Sequence, residues 1–248
     1  MNLILIDTPS RECTFSRRDP RFLHIRDVLR ARVGDTLRVG ILHGDHTTGI
    51  IRSINREEVV VEVDWACAQK APHLSPVTVC IGHPRPPVLT RIWRDAASLG
   101  VQEIRVFAGE LTEQSYLKSS HWDSLETYLR QGMEQGGFTS PPRVRKYASL
   151  AEALDPPLKG VGLCGSLGND NAVPLWRVPH EVASGEPIWV LVGPERGFTP
   201  GEEKWISGAA MLPVSLGPGV LRTETATTIL TGMAVSLSRD NAGNPVVL

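Results

Sequence analysis

The sequence predicts an α/β protein in two parts: a small β-barrel over residues 1–70, a linker at 71–76, and a larger domain with a mostly parallel sheet over 77–248. Three observations carry that prediction. Val59, Val61 and Val63 alternate with Val60, Glu62 and Asp64, the two-residue period of a half-buried strand. Just beyond, Pro72 and Pro76 interrupt a polar stretch. After them short apolar runs alternate with helical stripes, the pattern of parallel strands joined by crossover helices.

In the first part, residues 36–39 and 49–54 are further β-branched segments, and Gly34-Asp35 is a tight-turn pair opening a strand. Residues 24–30 read as a turn of helix. His43-Gly44-Asp45-His46 reads as a hairpin turn rather than a metal site. In the second part, 77–81 is a continuous apolar run. Leu89, Ile92, Trp93, Ala96 and Leu99 form a helical stripe that stops at Gly100, a residue free to adopt a left-handed cap. Residues 104–108 follow as a strand and 122–133 as an amphipathic helix. Strands are expected at 161–164, 188–192 and 211–214. The segment 223–238, with Ile229, Leu230, Met233, Ala234 and Leu237, reads as a helix packed over the sheet.

Composition bounds the function. With 248 residues and 41% hydrophobic content the chain can bury a sizeable core, as one large domain or two modest ones. A net charge of -1 carries no whole-chain signal for nucleic acid. Its distribution is more informative. In the first forty residues Arg11, Arg17, Arg18, Arg21, Arg26, Arg30, Arg32 and Arg38 outnumber the acidic residues, a mild excess of fork-shaped phosphate binders. A solvated barrel surface is the alternative reading. Cys13, Cys67, Cys80 and Cys164 are widely spaced without a CxxC pair, so a reducing cytoplasm is expected and a zinc site or disulfide framework is not. The N-terminus lacks a basic leader, and no apolar run is long enough to cross a bilayer, so we expect a soluble protein with no membrane partner.

The chemistry is located by two glycine-rich turns, Val192-Gly193-Pro194-Glu195-Arg196-Gly197-Phe198 and Leu216-Gly217-Pro218-Gly219-Val220-Leu221-Arg222-Thr223-Glu224-Thr225-Ala226. Each follows an apolar run, and in parallel sheets ligands sit beyond the carboxyl ends of the strands. Residues 164–170 form a third candidate loop. The spacing of a GxGxxG dinucleotide turn is not met, and neither a GxxxxGK[ST] phosphate loop nor a GxSxG nucleophile elbow is present.

Gly193-Pro194-Glu195-Arg196-Gly197-Phe198 followed by Glu202, with Leu216-Gly217 and Leu221-Arg222-Thr223-Glu224-Thr225-Ala226, resembles the paired signature of the RsmE family. These are SPOUT-superfamily methyltransferases that use S-adenosyl-L-methionine to methylate N3 of a uridine in small-subunit ribosomal RNA. His24, Val28-Leu29-Arg30 and Gly34-Asp35 are similar to that family's opening PUA-like barrel, and Leu99-Gly100-Val101 and Glu134-Gln135 to its central segments. The resemblance implies a SPOUT-type trefoil-knotted C-terminal domain and a homodimer. It also implies a cofactor cleft from three loops: Leu163, Cys164 and Gly165; Val192, Gly193, Pro194, Glu195 and Gly197; Leu216, Gly217, Val220, Leu221 and Arg222.

For such a reaction the residues suggest roles. Arg222 is the candidate donor to a uracil carbonyl as the ring nitrogen loses its proton. Glu224 is the second catalytic candidate, as an acceptor that orients Arg222 or as a base. The alternative for both is capping and dipole compensation at the start of the last helix, with Thr223 as N-cap. Glu195 either faces the sulfonium or binds backbone amides. Arg17, Arg18, His24, Arg30 and Arg196 are expected to contact RNA. The chain departs from the family pattern at Arg196, where glycine is usual, at Gly219, at Asp95 and Ser98, where lysine and glutamate are usual, and around Phe138. Two alternatives stay open: a SPOUT enzyme acting on a different RNA, and a non-catalytic RNA-binding protein that retains the fold.

Overall fold

The computed structural model describes residues 3–155, 159–166, 171–180 and 186–238. They divide into two units, Met1–His73 with Met133–Pro141, and Leu74–Gly132 with Pro142–Leu248.

The first unit is a curled, PUA-like half-barrel of β1 (Leu3–Ile6), β2 (Glu12–Ser16), β3 (Thr36–Ile41), β4 (His46–Ile54) and β5 (Glu58–Val63), in the order β1-β3-β4-β5-β2. β1 pairs with β3 in parallel and the other neighbours are antiparallel. The alternation in β5 sets its face: Val59, Val61 and Val63 join Phe15, Phe22, Ile25 and Ile51 in the core, while Glu62 is exposed. A slip of one residue would turn the valines to solvent. β1 and β2 are additions to the sequence reading. β1 is wholly buried, and β2 buries only Cys13 and Phe15. α1 (Pro20–Leu23) is capped by Asp19, whose carboxylate accepts the Arg21 N–H at 2.9 Å, and runs directly into a π-helical turn, His24–Val28. Segment 133–141, which the sequence reading placed in the larger domain, closes on this unit. His43 N–H donates to the Thr139 carbonyl at 2.8 Å, and Thr139 Oγ1 donates to the Gly44 carbonyl at 2.7 Å.

The second unit runs β6 (Ser75–Gly82), α2 (Pro86–Leu99), β7 (Val101–Phe107), α3 (Gln114–Leu117), α4 (Leu125–Gly136), β8 (Arg143–Tyr147), α5 (Leu150–Ala153), β9 (Val161–Gly165), β10 (Val173–Pro174), β11 (Ile188–Val192), α6 (Pro200–Gly208), β12 (Leu212–Ser215) and α7 (Thr223–Ser238). The last turn of α4 belongs to the first unit. The sheet has seven strands in the order β10-β12-β9-β11-β6-β7-β8, every pair parallel. This extends the mostly parallel sheet expected from the sequence. The two strands the sequence did not reveal, β8 and β10, are the edges. β8 carries Arg143, Arg145 and Lys146 to solvent, as edge strands do to discourage further pairing.

Cys80, Leu191 and Cys164 are registered neighbours on β6, β11 and β9, so they share one face, where they pack with Phe107, Leu150, Ala153 and Met211. α7 crosses β6, β9 and β11 and packs along α2. α2 ends where its stripe predicts, at Gly100, whose φ of 70° lets its N–H reach the Ala96 and Ala97 carbonyls. The four cysteines are free, and no helix among the described residues is long and apolar enough to cross a membrane.

Candidate functional site

Register brings the loops together. Leu191 is level with Cys164, Val192 with Ile81, and Val214 with Gly165, so β12, β9, β11 and β6 end at one edge of the sheet. Adjacent strands lie about 4.8 Å apart, so the loops leaving β12, β9 and β11 start within about 10 Å of one another. Leu163 and Cys164 are buried at the end of β9, and Gly165 is half-buried. A Cβ on Gly165 would lie 3.1 Å from Leu230 Cδ1, so the glycine admits α7 over the strand end. Burial pushes the Cys164 thiol up to about 12, which keeps it protonated and removes it as a nucleophile. Residues 167–170 of the third predicted loop lie outside the described residues.

The loop after β11 is held from several sides. Val192 and Pro194 are buried, and Pro194 fits against Gly82 at the end of β6, where any Cβ would collide with its ring and its nitrogen. A Cβ on Gly193 would meet the Phe198 ring at 3.0 Å. Phe198 stacks on Phe107 with centroids 6.5 Å apart and planes within 11°, so it packs as core. Glu195 Oε1 accepts the Arg85 backbone N–H at 2.9 Å. Of its two readings, the amide contact is the one observed. Gly197, with φ of 76°, donates to the Pro194 carbonyl at 2.9 Å and closes a tight turn, leaving Arg196 exposed. α6 then starts with a full capping box, Thr199 Oγ1 accepting the Glu202 N–H and Glu202 Oε2 accepting the Thr199 N–H.

Glu202 does more than cap. It is 3% exposed, and its Oε1 accepts the Glu110 N–H at 3.1 Å, which ties the loop after β7 to the loop after β11. The sequence reading left Glu202 out of the site, although the Thr-x-x-Glu spacing was available to find its capping half.

The third loop is more open. Gly217 has φ of 122°, and no atom lies within 4 Å of where a Cβ would stand on Gly197, Gly217 or Gly219. Leu216 and Leu221 are half-buried, while Val220 is 82% exposed. Arg222, exposed, occupies the N-cap position of α7, its carbonyl accepting the Ala226 N–H at 2.9 Å. That displaces Thr223 from the cap: it is already helical and is buried. Glu224 does not pair with Arg222; its carboxylate lies 3.4 Å from Arg91 of α2. Among the described residues, no carboxylate forms an ion pair with Arg222 or Arg196.

A second cluster was not legible in the sequence. At the end of β6, His83 is buried at 3% exposure, its Nδ1 2.9 Å from the Pro84 carbonyl and its Nε2 3.3 Å from Trp122 Nε1. An indole nitrogen can only donate, so Nε2 accepts and Nδ1 carries the proton. Burial lowers the His83 pKa, which keeps the ring neutral. Lys146, at the end of β8, sits 3.8 Å over the Trp122 ring, and Trp93 meets that ring edge-on at 4.8 Å.

The remaining predicted RNA contacts lie in the first unit. Arg17 and Arg18 are exposed, Arg17 beside Glu57 at 3.8 Å. His24 opens the π-helical turn, half-buried, with its pKa lowered by burial. Arg30 is exposed just beyond that turn and holds φ of 50°, a left-handed conformation rare outside glycine, asparagine and aspartate. A cleft lined by Leu154, Lys204, Trp205 and Ala209 contains none of the predicted site residues.

A parallel sheet whose adjacent carboxyl ends open into glycine-rich loops defines a class, and a family model described as an RNA methyltransferase domain matches residues 71–235. Two curated relatives narrow it. Ribosomal RNA small subunit methyltransferase E of Treponema pallidum is 33% identical over 91% of this chain and 87% of its own length. Ribosomal RNA small subunit methyltransferase E 1 of Borreliella burgdorferi is 30% identical over 92% of this chain and 94% of its own. The chain belongs to the RsmE family of ribosomal RNA methyltransferases. Among solved structures, the ribosomal RNA small subunit methyltransferase E of Neisseria gonorrhoeae, bound to S-adenosyl methionine, has the same fold, with a TM-score of 0.69 and 23% identity over 96% of this chain and 98% of that one.

Proposed function

We propose that this chain transfers a methyl group from S-adenosyl-L-methionine to N3 of a uridine in small-subunit ribosomal RNA. The observation that carries the reading is the convergence of the loops after β9, β11 and β12 at one sheet edge, with open space at Gly197, Gly217 and Gly219. A nucleoside-sized cofactor needs backbone N–H and C=O groups it can approach without side chains in the way, and these glycines supply them. Leu163 to Gly165, Val192 to Gly197 and Leu216 to Arg222 are the residues that would hold it.

When bound, the cofactor supplies an already activated methyl group on a sulfonium centre. The chain's tasks are then orientation and charge. Proton loss at N3 spreads negative charge onto the uracil carbonyls, and the exposed guanidinium of Arg222, free of a carboxylate partner among the described residues, is suited to receive it. Arg196 on the second loop and Arg17, Arg18, His24 and Arg30 of the half-barrel are the RNA contacts, acting mainly on phosphates. A cytoplasmic homodimer with the last helix threaded as a trefoil knot completes the proposal.

Calorimetry and turnover on the same protein test it. Wild type is expected to bind S-adenosylmethionine with micromolar affinity, and Arg222→Ala to keep that affinity within about threefold while turnover falls about a hundredfold. Absence of binding would leave only an RNA-binding relic of the fold. A loss confined to cofactor affinity would give the Arg222 side chain, and not its backbone alone, to the cofactor.

A further inference from the structure

Two carboxylates near the glycine-rich loops are both turned toward α2. Glu195, on the loop after β11, accepts the N–H of Arg85, the N-cap residue of α2. Glu224, in the first turn of α7, lies 3.4 Å from Arg91 in the second turn of α2. One turn further along, Thr228 Oγ1 donates to the Glu224 carbonyl at 2.9 Å and lies 3.4 Å from Asp95 Oδ2. Arg91 and Asp95 are four residues apart, as are Glu224 and Thr228, so each pair lies on one face of its helix and the contacts climb both helices in the same direction. α2 therefore holds one loop at its head and the exit of the other at its second turn.

We propose that Arg91 is a positioning residue for methyl transfer: through Glu224 it fixes the start of α7, and with it the Arg222 guanidinium, relative to the loop that Glu195 anchors to the same helix. The inference rests on the reading of Arg222 given above. It gives Glu224 a committed partner, so its carboxylate acts on geometry and takes no proton from the substrate. Arg91 is about half exposed, and an ion pair in that setting adds little to overall stability. Its value lies in aim, since small displacements of a reacting or stabilising group lower turnover steeply.

The test uses the full chain, methyl-labelled S-adenosylmethionine and small-subunit ribosomal RNA. Arg91→Ala and Glu224→Gln should each lower kcat about tenfold with cofactor affinity within about twofold of wild type, the pattern of lost alignment. Arg91→Lys should recover most of the loss, as should the exchanged pair Arg91→Glu with Glu224→Arg. The pH–rate profile of Glu224→Gln should keep the wild-type shape. Full activity in Arg91→Ala would overturn the inference alone, and so would loss of a limb of the profile in Glu224→Gln, which would make Glu224 the base. A wild-type chain that transfers no label would overturn both the inference and the function on which it rests.

Discussion

Arg222, Glu224 and Glu195 show how far single residues could be read. Their types and spacing singled out the loops after β11 and β12, but a carboxylate's partner depends on which helix packs beside it. Glu224 finds Arg91, a residue 133 positions away in sequence, and Glu195 finds the Arg85 amide 110 positions away. No local pattern encodes either contact. His83 was missed for the same reason, since Trp122, with Lys146 over its ring, reaches it from another segment. Its buried neutral ring has a consequence for stability. The pKa of His83 is lowered from 6.5 on folding, so below 6.5 the unfolded chain binds the proton more readily than the native one. The contribution is intact above that value and is lost as pH falls toward the folded pKa. His83→Asn, which retains an acceptor and a donor, should therefore lose less stability than wild type between pH 7 and pH 5 in denaturant titrations. Parallel losses in the two proteins would show that His83 is not a source of acid sensitivity.

Elements with a strong period were legible. The sequence placed β11 at 188–192 and α7 at 223–238, and it ended α2 at Gly100, because continuous apolar runs and a glycine stop are local signals. The elements it missed lack such signals. β8 is charged at an edge, β10 has two residues, and α6 buries mainly Glu202 rather than an apolar stripe. The close approach of β6 to the loop after β11 was equally hidden, since Gly82 reads as an ordinary strand end. In the fold it is the one residue type that lets Pro194 sit against the sheet. Gly82→Ala should cost about 1–3 kcal/mol, as overpacking does, and should also weaken S-adenosylmethionine binding because the displaced segment is the 193–199 loop. Chemical denaturation and calorimetry on the variant check both halves. Unchanged cofactor affinity in a destabilised protein would separate that loop from the cofactor.

At the scale of the whole molecule, the change from an alternating strand pattern to strand-and-helix units announced two parts, and the structure has two units. The segment 133–141 belongs with the half-barrel although it begins inside α4, and hydrogen bonds from Thr139 and His43 tie it there, a link that composition does not encode. Net charge near zero disguised a basic first segment, and the glycine-rich loops carried the family where overall composition could not. The combined account, a half-barrel of arginines on one unit and a backbone-lined methyl-donor site on the other, makes its strongest commitment at the methylated atom. The most direct measurement is digestion to nucleosides of small-subunit ribosomal RNA after incubation with the protein and methyl-labelled S-adenosylmethionine. The account predicts label in N3-methyluridine alone; label in any other nucleoside, or none in the RNA, would contradict it.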